Sequence, residues 1–225
     1  MASLKLFFPG ILLAVLFAGC ISIHFDQAVD RDGNSAITQK IDLSTLAGME
    51  QQSGSNLSDV CVNLTASRPD IECMVENDVV IMKRQFKASD GDYTFTRSSE
   101  LPYIIYTLEI RKIPDLGKGL DTSEIAGAAP FDMDLKNPQM KKSALGAKMV
   151  GATMTYNISM PGEIFSAEHG QIKDGTAQFN LLEMMEDGNY LVVKSREPDL
   201  VVVGAAALLV LAVAGAAAFF VLKRK

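Results

Sequence analysis

The chain has 225 residues, 48% of them apolar and 21% charged, which suits one globular domain with a core and argues against wholesale disorder. Four of its 21 basic residues, Lys5, Lys223, Arg224 and Lys225, lie at the ends, while all 27 acidic residues fall between 21 and 199. That middle therefore carries a net charge of −10, a poor footprint for nucleic acid and one that anionic headgroups repel.

At the N-terminus, one positive charge precedes an apolar run from Leu6 to Gly19. About fourteen apolar residues fit a signal-peptide core and are short for a membrane span. The run closes as Leu16-Phe17-Ala18-Gly19-Cys20. Small residues before a Cys are lipobox-like, making Cys20 the expected lipidation site, although Phe17 stands where Leu, Val or Ile is usual. The alternative is an uncleaved anchor with an incidental Cys20.

The next segment alternates. Ile21, Ile23 and Phe25 interleave with Ser22, His24 and Asp26, then Asp32-Gly33 marks a hairpin turn and Ile37, Ile41 and Leu43 resume. Ser44 to Leu64 has helical composition, opened by a Ser44 or Thr45 cap and ended by Arg68-Pro69. Ile71–Met74 and Val79–Phe86 flank a tight turn at Glu76-Asn77-Asp78. Cys61 and Cys73 lie in this stretch, and on an oxidising side of a membrane two such thiols pair readily. The alternative is a pair of reduced, buried thiols. Asp90-Gly91, Asp174-Gly175 and Asp187-Gly188 repeat the turn signal. Alternation over Ile104–Ile110, Ala152–Met160 and Ala177–Leu181, with a last strand at Tyr190–Val193, predicts sheet with one polar face.

Residues 114–148 hold several Gly and Pro residues and no sustained period, which predicts a long loop. It is either a solvated excursion or a flap over an apolar cleft. Met is abundant in the second half, and Met133, Met140, Met149, Met154 and Met160 are the candidate ligand-contacting residues, since Met offers adaptable apolar surface. The competing reading is simple core.

Leu200–Leu222 is 23 residues without a polar side chain, flanked by Glu197-Pro198-Asp199 and by the basic tail at 223–225. The length predicts a transmembrane helix, and the flanking charges predict a cytoplasmic tail with the main domain outside. The expected organisation is a signal peptide at 1–19, an extracytoplasmic domain at 20–198, a transmembrane helix at 199–222 and the tail. The fold class expected is α+β: an antiparallel sheet with one main helix packed on it. The expected location is the cell membrane, single-pass.

No nucleophile, phosphate-loop or zinc-protease motif occurs. Asp30-Arg31-Asp32-Gly33-Asn34 is turn-like, because an EF-hand starting at Asp30 needs Gly at Ser35 and Glu at Ile41. His24 and His169 have no ligand spacing to a Cys. No catalytic residue, metal or cofactor is expected, and the chain reads as a non-enzyme. Three N-x-S/T triplets begin at Asn56, Asn63 and Asn157.

The lipobox-like Cys20, the Asp32-Gly33-Asn34-Ser35 hairpin, the Tyr156–Ile164 segment containing Pro161-Gly162-Glu163, the Gly170–Phe179 turn and strand, and the apolar C-terminus together resemble the LppM family of envelope lipoproteins. A departure is Phe179, where such proteins often carry Trp. The resemblance implies an exported, membrane-anchored domain engaging lipid or glycolipid, with no active-site residues to carry over. A structural role, with an envelope protein as partner, is the alternative.

Overall fold

A computed structural model describes residues 22–42, 57–90, 93–113, 133–135, 138–149 and 151–223. Strands β1 (Ser22–Val29) and β2 (Ser35–Asp42) form the first hairpin. Its turn is built as the sequence dictates. Asp30 Oδ1 accepts the backbone N–H groups of Asp32 and Asn34, and Gly33 has φ +84°. A Cβ at Gly33 would also lie 2.4 Å from the Phe95 ring, so only glycine fits.

Helix α1 (Leu57–Ser67) leads into β3 (Ile71–Glu76) and β4 (Val79–Phe86). Asn77 and Asp78 both take positive φ in the turn between these strands. Strands β5 (Tyr93–Glu100) and β6 (Tyr103–Ile110) follow, then the short β7 (Lys112–Ile113) and β8 (Met133–Asp134). After helix α2 (Pro138–Met149) come β9 (Thr153–Ser159), β10 (Glu163–Glu168), β11 (Gln171–Lys173) and β12 (Thr176–Asn180). Helix α3 (Leu181–Asp187), β13 (Leu191–Pro198) and helix α4 (Leu200–Lys223) complete the described chain.

The strands form two main sheets. A seven-stranded sheet has the order β11-β12-β9-β1-β2-β4-β3, and a four-stranded sheet the order β10-β13-β6-β5. A separate pair joins β7 to β8. One core draws on both main sheets: Phe25, Ile37, Met82 and Tyr156 from the larger, Tyr106, Leu108, Ile110 and Val193 from the smaller. Phe25 and Tyr156 stack with ring centroids 5.4 Å apart.

These observations correct the expected fold class. The protein is mostly β, with two sheets and several helices in place of one antiparallel sheet under one helix. The physical reason is that both sheets have an apolar face, so most of that surface is buried by sheet and little by helix. Helix α1 buries Cys61 and Leu64 but leaves Val62 exposed, and it packs on edge strand β3. The sheet is also not wholly antiparallel, because β1 and β9 pair in parallel.

The expected transmembrane helix is likewise corrected. Helix α4 is present, but among the described residues no helix is long and apolar enough to cross a membrane. The expected single-pass location loses its support with it.

Three local readings change as well. Part of the 114–148 loop is helical, as α2. Asp187-Gly188 is no hairpin: Gly188, in the left-handed region, caps the C-terminus of α3, and its N–H donates to the Met184 carbonyl. Asp90 ends a short 3₁₀ turn (Ala88–Asp90) between strands of different sheets. The proposed helix start at Ser44 and the signal and lipobox segment, including Cys20, lie outside the described residues.

Candidate functional site

Alternation along β1 and β9 sends one set of side chains into the core and the other onto the open face of the larger sheet. The parallel register sets Ser22 beside Thr153, His24 beside Thr155 and Asp26 beside Asn157. All three pairs are hydrogen-bonded. Thr153 Oγ1 donates to Ser22 Oγ at 2.9 Å, His24 Nδ1 and Thr155 Oγ1 lie 2.5 Å apart, and Asn157 Nδ2 donates to Asp26 Oδ1 at 2.9 Å. Lys40, on β2, completes the row with an ion pair to Asp26 at 3.1 Å. Burial pushes the Asp26 carboxyl upward. Hydrogen bonds from Asn157 and Lys40 and the Lys40 charge outweigh this and hold it below the usual value of 3.8.

Two depressions of about 710 and 400 Å³ lie on this face and share Asn157 and Gln178. The larger runs over the β9 and β12 ends and is walled by His169 and Gly170 on one side and by Lys148 of α2 and Glu183 of α3 on another. Lys148 is ion-paired to Glu186 of α3, which fixes that wall. The Glu186 hydrogen bond raises the Lys148 ammonium above its ordinary value. The floor is Thr153, Thr155, Asn157, Gln178 and Asn180: hydroxyls and amides, which both donate and accept.

Such a surface offers hydrogen-bond donors and acceptors side by side. His24 and Thr155 form a close pair, but β1 and β9 are interior strands whose backbone N–H groups serve the sheet on both sides. No cluster of three or more His, Cys, Asp or Glu suited to a metal occurs among the described residues.

The residues singled out from sequence are placed as follows. Cys61 and Cys73 are joined by a disulfide, with Cα atoms 5.2 Å apart, tying α1 to β3. Met154 and Met160 are buried in the core, and Met149 is 85% exposed at the end of α2. The side chains of Met133 and Met140 lie outside the described ones. Among the described residues these methionines do not line a common cleft; only Met154 borders the groove. Asn157 donates its side-chain N–H to Asp26 within a central strand, whereas Asn63 stands exposed on α1. Asn56 lies outside the described residues.

Sequence reasoning missed the groove itself. Its signal was available in the polar half of each alternation: Ser22, His24 and Asp26 against Thr153, Thr155 and Asn157. What the alternation does not contain is the parallel register that sets these two runs side by side.

Fold and groove together define a class: a predominantly β, two-sheet domain with a hydrogen-bonding open face and a stapled edge. The chain matches no protein-family model and no curated protein. Among solved structures it is similar to the folded domain of the LppM protein of Mycobacterium tuberculosis, determined by NMR. The identity is 8%, the alignment covers 82% of this chain and 94% of that one, and the TM-score is 0.33. It is more distantly similar to a crystal structure of an M1 zinc metallopeptidase from Deinococcus radiodurans, at 9% identity over 79% of this chain and 42% of that one, with a TM-score of 0.21. Neither score is high enough to establish a shared fold.

Proposed function

We propose that the chain is a non-catalytic binding module of the cell envelope, working on the extracytoplasmic side, and that it holds the polar part of a lipid or glycolipid in the groove over β9 and β12. The observation that carries this reading is the groove floor. Thr155, Asn157 and Gln178 present hydroxyl and amide groups on a rigid sheet, in a depression of about 710 Å³, within the usual range for small-molecule sites. The Cys61–Cys73 disulfide supports the compartment, since such bonds persist on the oxidising side of membranes. The export-like N-terminus and the resemblance of the sequence to envelope lipoproteins support it too. Burial of Met154 and Met160 favours recognition through the ligand's polar part over an apolar cleft built on those methionines.

The test is the full chain purified in mild detergent from its native membrane, with extracted lipids read by mass spectrometry. A defined lipid class is expected to co-purify with the parent protein and to fall at least about tenfold in a Thr155→Val, Gln178→Ala variant, because buried polar groups of a ligand left unpaired lose about 1–3 kcal/mol each. Near-UV circular dichroism checks that the variant keeps its fold. A lipid-free parent protein that takes up nothing from a native lipid extract sinks the proposal, as does a folded variant that keeps the lipid.

A further inference from the structure

A second surface lies on the smaller sheet. Arg196 of β13 sits over two rings, 5.3 Å from the Tyr103 centroid and 5.6 Å from that of Phe165. Its guanidinium also bonds Glu163 at 3.0 Å. The β10–β13 register breaks between Ile164 and Ser166, and Phe165 stands at this irregularity, 42% exposed. Leu101, in the β5–β6 turn, is 72% exposed. This turn is tied to the start of α4. The Asp199 N–H donates to the Pro102 carbonyl at 2.9 Å, while Asp199 Oδ1 accepts the Val201 N–H at 3.0 Å as the helix cap. Leu200 and Val201 then emerge 78% and 81% exposed.

Exposed leucines alone are ordinary. Here an apolar turn, two aromatic rings steered by an arginine, and the first turn of an apolar helix converge on one corner, and a hydrogen bond fixes their arrangement. Aromatic rings with polar tips and long cationic side chains are the residues that suit a lipid–water boundary. The surrounding charges select among lipids. Glu163 is paired with Arg196 and Glu197 with Arg31, while Glu100 opposite Tyr103 and Asp199 beside Pro102 leave the corner net negative, so an anionic surface is repelled.

We infer that the corner formed by Leu101, Tyr103, Phe165 and the Leu200–Val201 turn rests on the headgroup region of a neutral or zwitterionic lipid surface. This fixes how the domain stands on that surface and which way the groove faces.

The chain contains no Trp, so a single introduced Trp reports its surroundings without background. Leu101→Trp and, as a reference on β11 of the larger sheet, Ile172→Trp, 45% exposed in the parent, are made in the full chain. Each is added to phosphatidylcholine vesicles with and without lipid brominated near the headgroup. The Leu101→Trp variant is expected to emit at shorter wavelength and to lose more than about half its emission to brominated lipid, since an interfacial side chain lies within about 5–10 Å of that region. The Ile172→Trp variant is expected to be unaffected. Phe165→Trp repeats the measurement where Leu101→Trp fails to fold. Adding phosphatidylglycerol is expected to weaken the quenching. The inference is overturned by an unshifted, unquenched Trp at position 101 or by equal quenching at 172. It is also overturned by a blue shift without bromine quenching, which marks a second copy of the chain as the cover, or by stronger quenching on anionic vesicles.

Discussion

The two faces of the seven-stranded sheet use the same strands for opposite ends. Inward, β1 and β9 present Phe25, Tyr156 and Ile158, each at most 1% exposed. Outward, the same strands present His24, Asp26, Thr155 and Asn157, hydrogen-bonded to each other but open to solvent. The inner face excludes water and holds the two sheets together. The outer face stays polar, and its groups are held in position by their neighbours along the sheet. If the proposed function holds, stability and recognition are carried by alternate residues of one strand, and neighbouring substitutions should separate them.

The largest expected effect is on the inner face. Phe25→Ala removes the ring stacked on Tyr156 and leaves a cavity between the sheets, which should lower stability by about 3–5 kcal/mol. Asp26→Ala, one residue on, should lower it by under about 1 kcal/mol. Urea denaturation of both variants measures the gap. Equal losses would mean that the outer face is structural and would break the comparison.

Next is the disulfide. Paired replacement of Cys61 and Cys73 by Ser should lower stability by about 2–3 kcal/mol, as expected for a short closed loop. Helix α1 packs at the β3 edge, far along the sheet order from β9. Binding at the groove should therefore survive at a temperature where the variant stays folded, which ligand titration alongside thermal melts would check.

A finer test lies inside the core. The Tyr156 hydroxyl donates to Gln27 Oε1 at 2.9 Å, and both residues are buried. Tyr156→Phe strands the Gln27 carbonyl and should lower stability by about 1–3 kcal/mol. Adding Gln27→Leu should recover part of that loss, because two apolar partners need no hydrogen bond. A second loss on top of the first would show that Gln27 has another role.

Legibility from sequence divides along the same line. The β1–β2 and β3–β4 hairpins were readable because Asp32-Gly33 and Asn77-Asp78 encode their turns locally. So were the inward sides of β6 and β9, because Tyr106, Leu108, Ile110 and Met154, Tyr156, Ile158 keep a strict period of two. Three things were not readable. Strand β5, with Thr94, Arg97, Ser98 and Glu100 exposed, carries too weak an alternation. Helix α3 opens directly on Asn180, whose side chain caps it by accepting the Leu182 N–H, so the strand pattern of the sequence runs on through Leu181. The parallel β1–β9 pairing joins residues about 130 apart with no turn to specify it. That pairing is set by burying Phe25 against Tyr156, a tertiary preference that no local pattern contains. The groove depends on it, which is why the polar residues were visible one by one while the site they build was not.

The smallest expected effect concerns charge on the outer face and isolates how the ladder is held. Asp26→Asn keeps an oxygen to accept from Asn157 but removes the charge that pairs with Lys40. At neutral pH the change should lower stability by under about 1 kcal/mol, because the pair is largely solvated. Its pH dependence is the sharper observable. The folded-state value of Asp26 lies below the ordinary 3.8, so the carboxylate's contribution is fully present above 3.8 and is lost as pH falls through the lowered folded value. The difference between parent and Asp26→Asn should therefore be constant from pH 5 to 7 and shrink toward zero in more acidic solution. Urea midpoints at pH 7 and near pH 3 would show this. A difference that instead widens on acidification would mean that the carboxylate is destabilised in the fold, and that Asn157 and the strands beneath, with no help from charge, keep the open face in register.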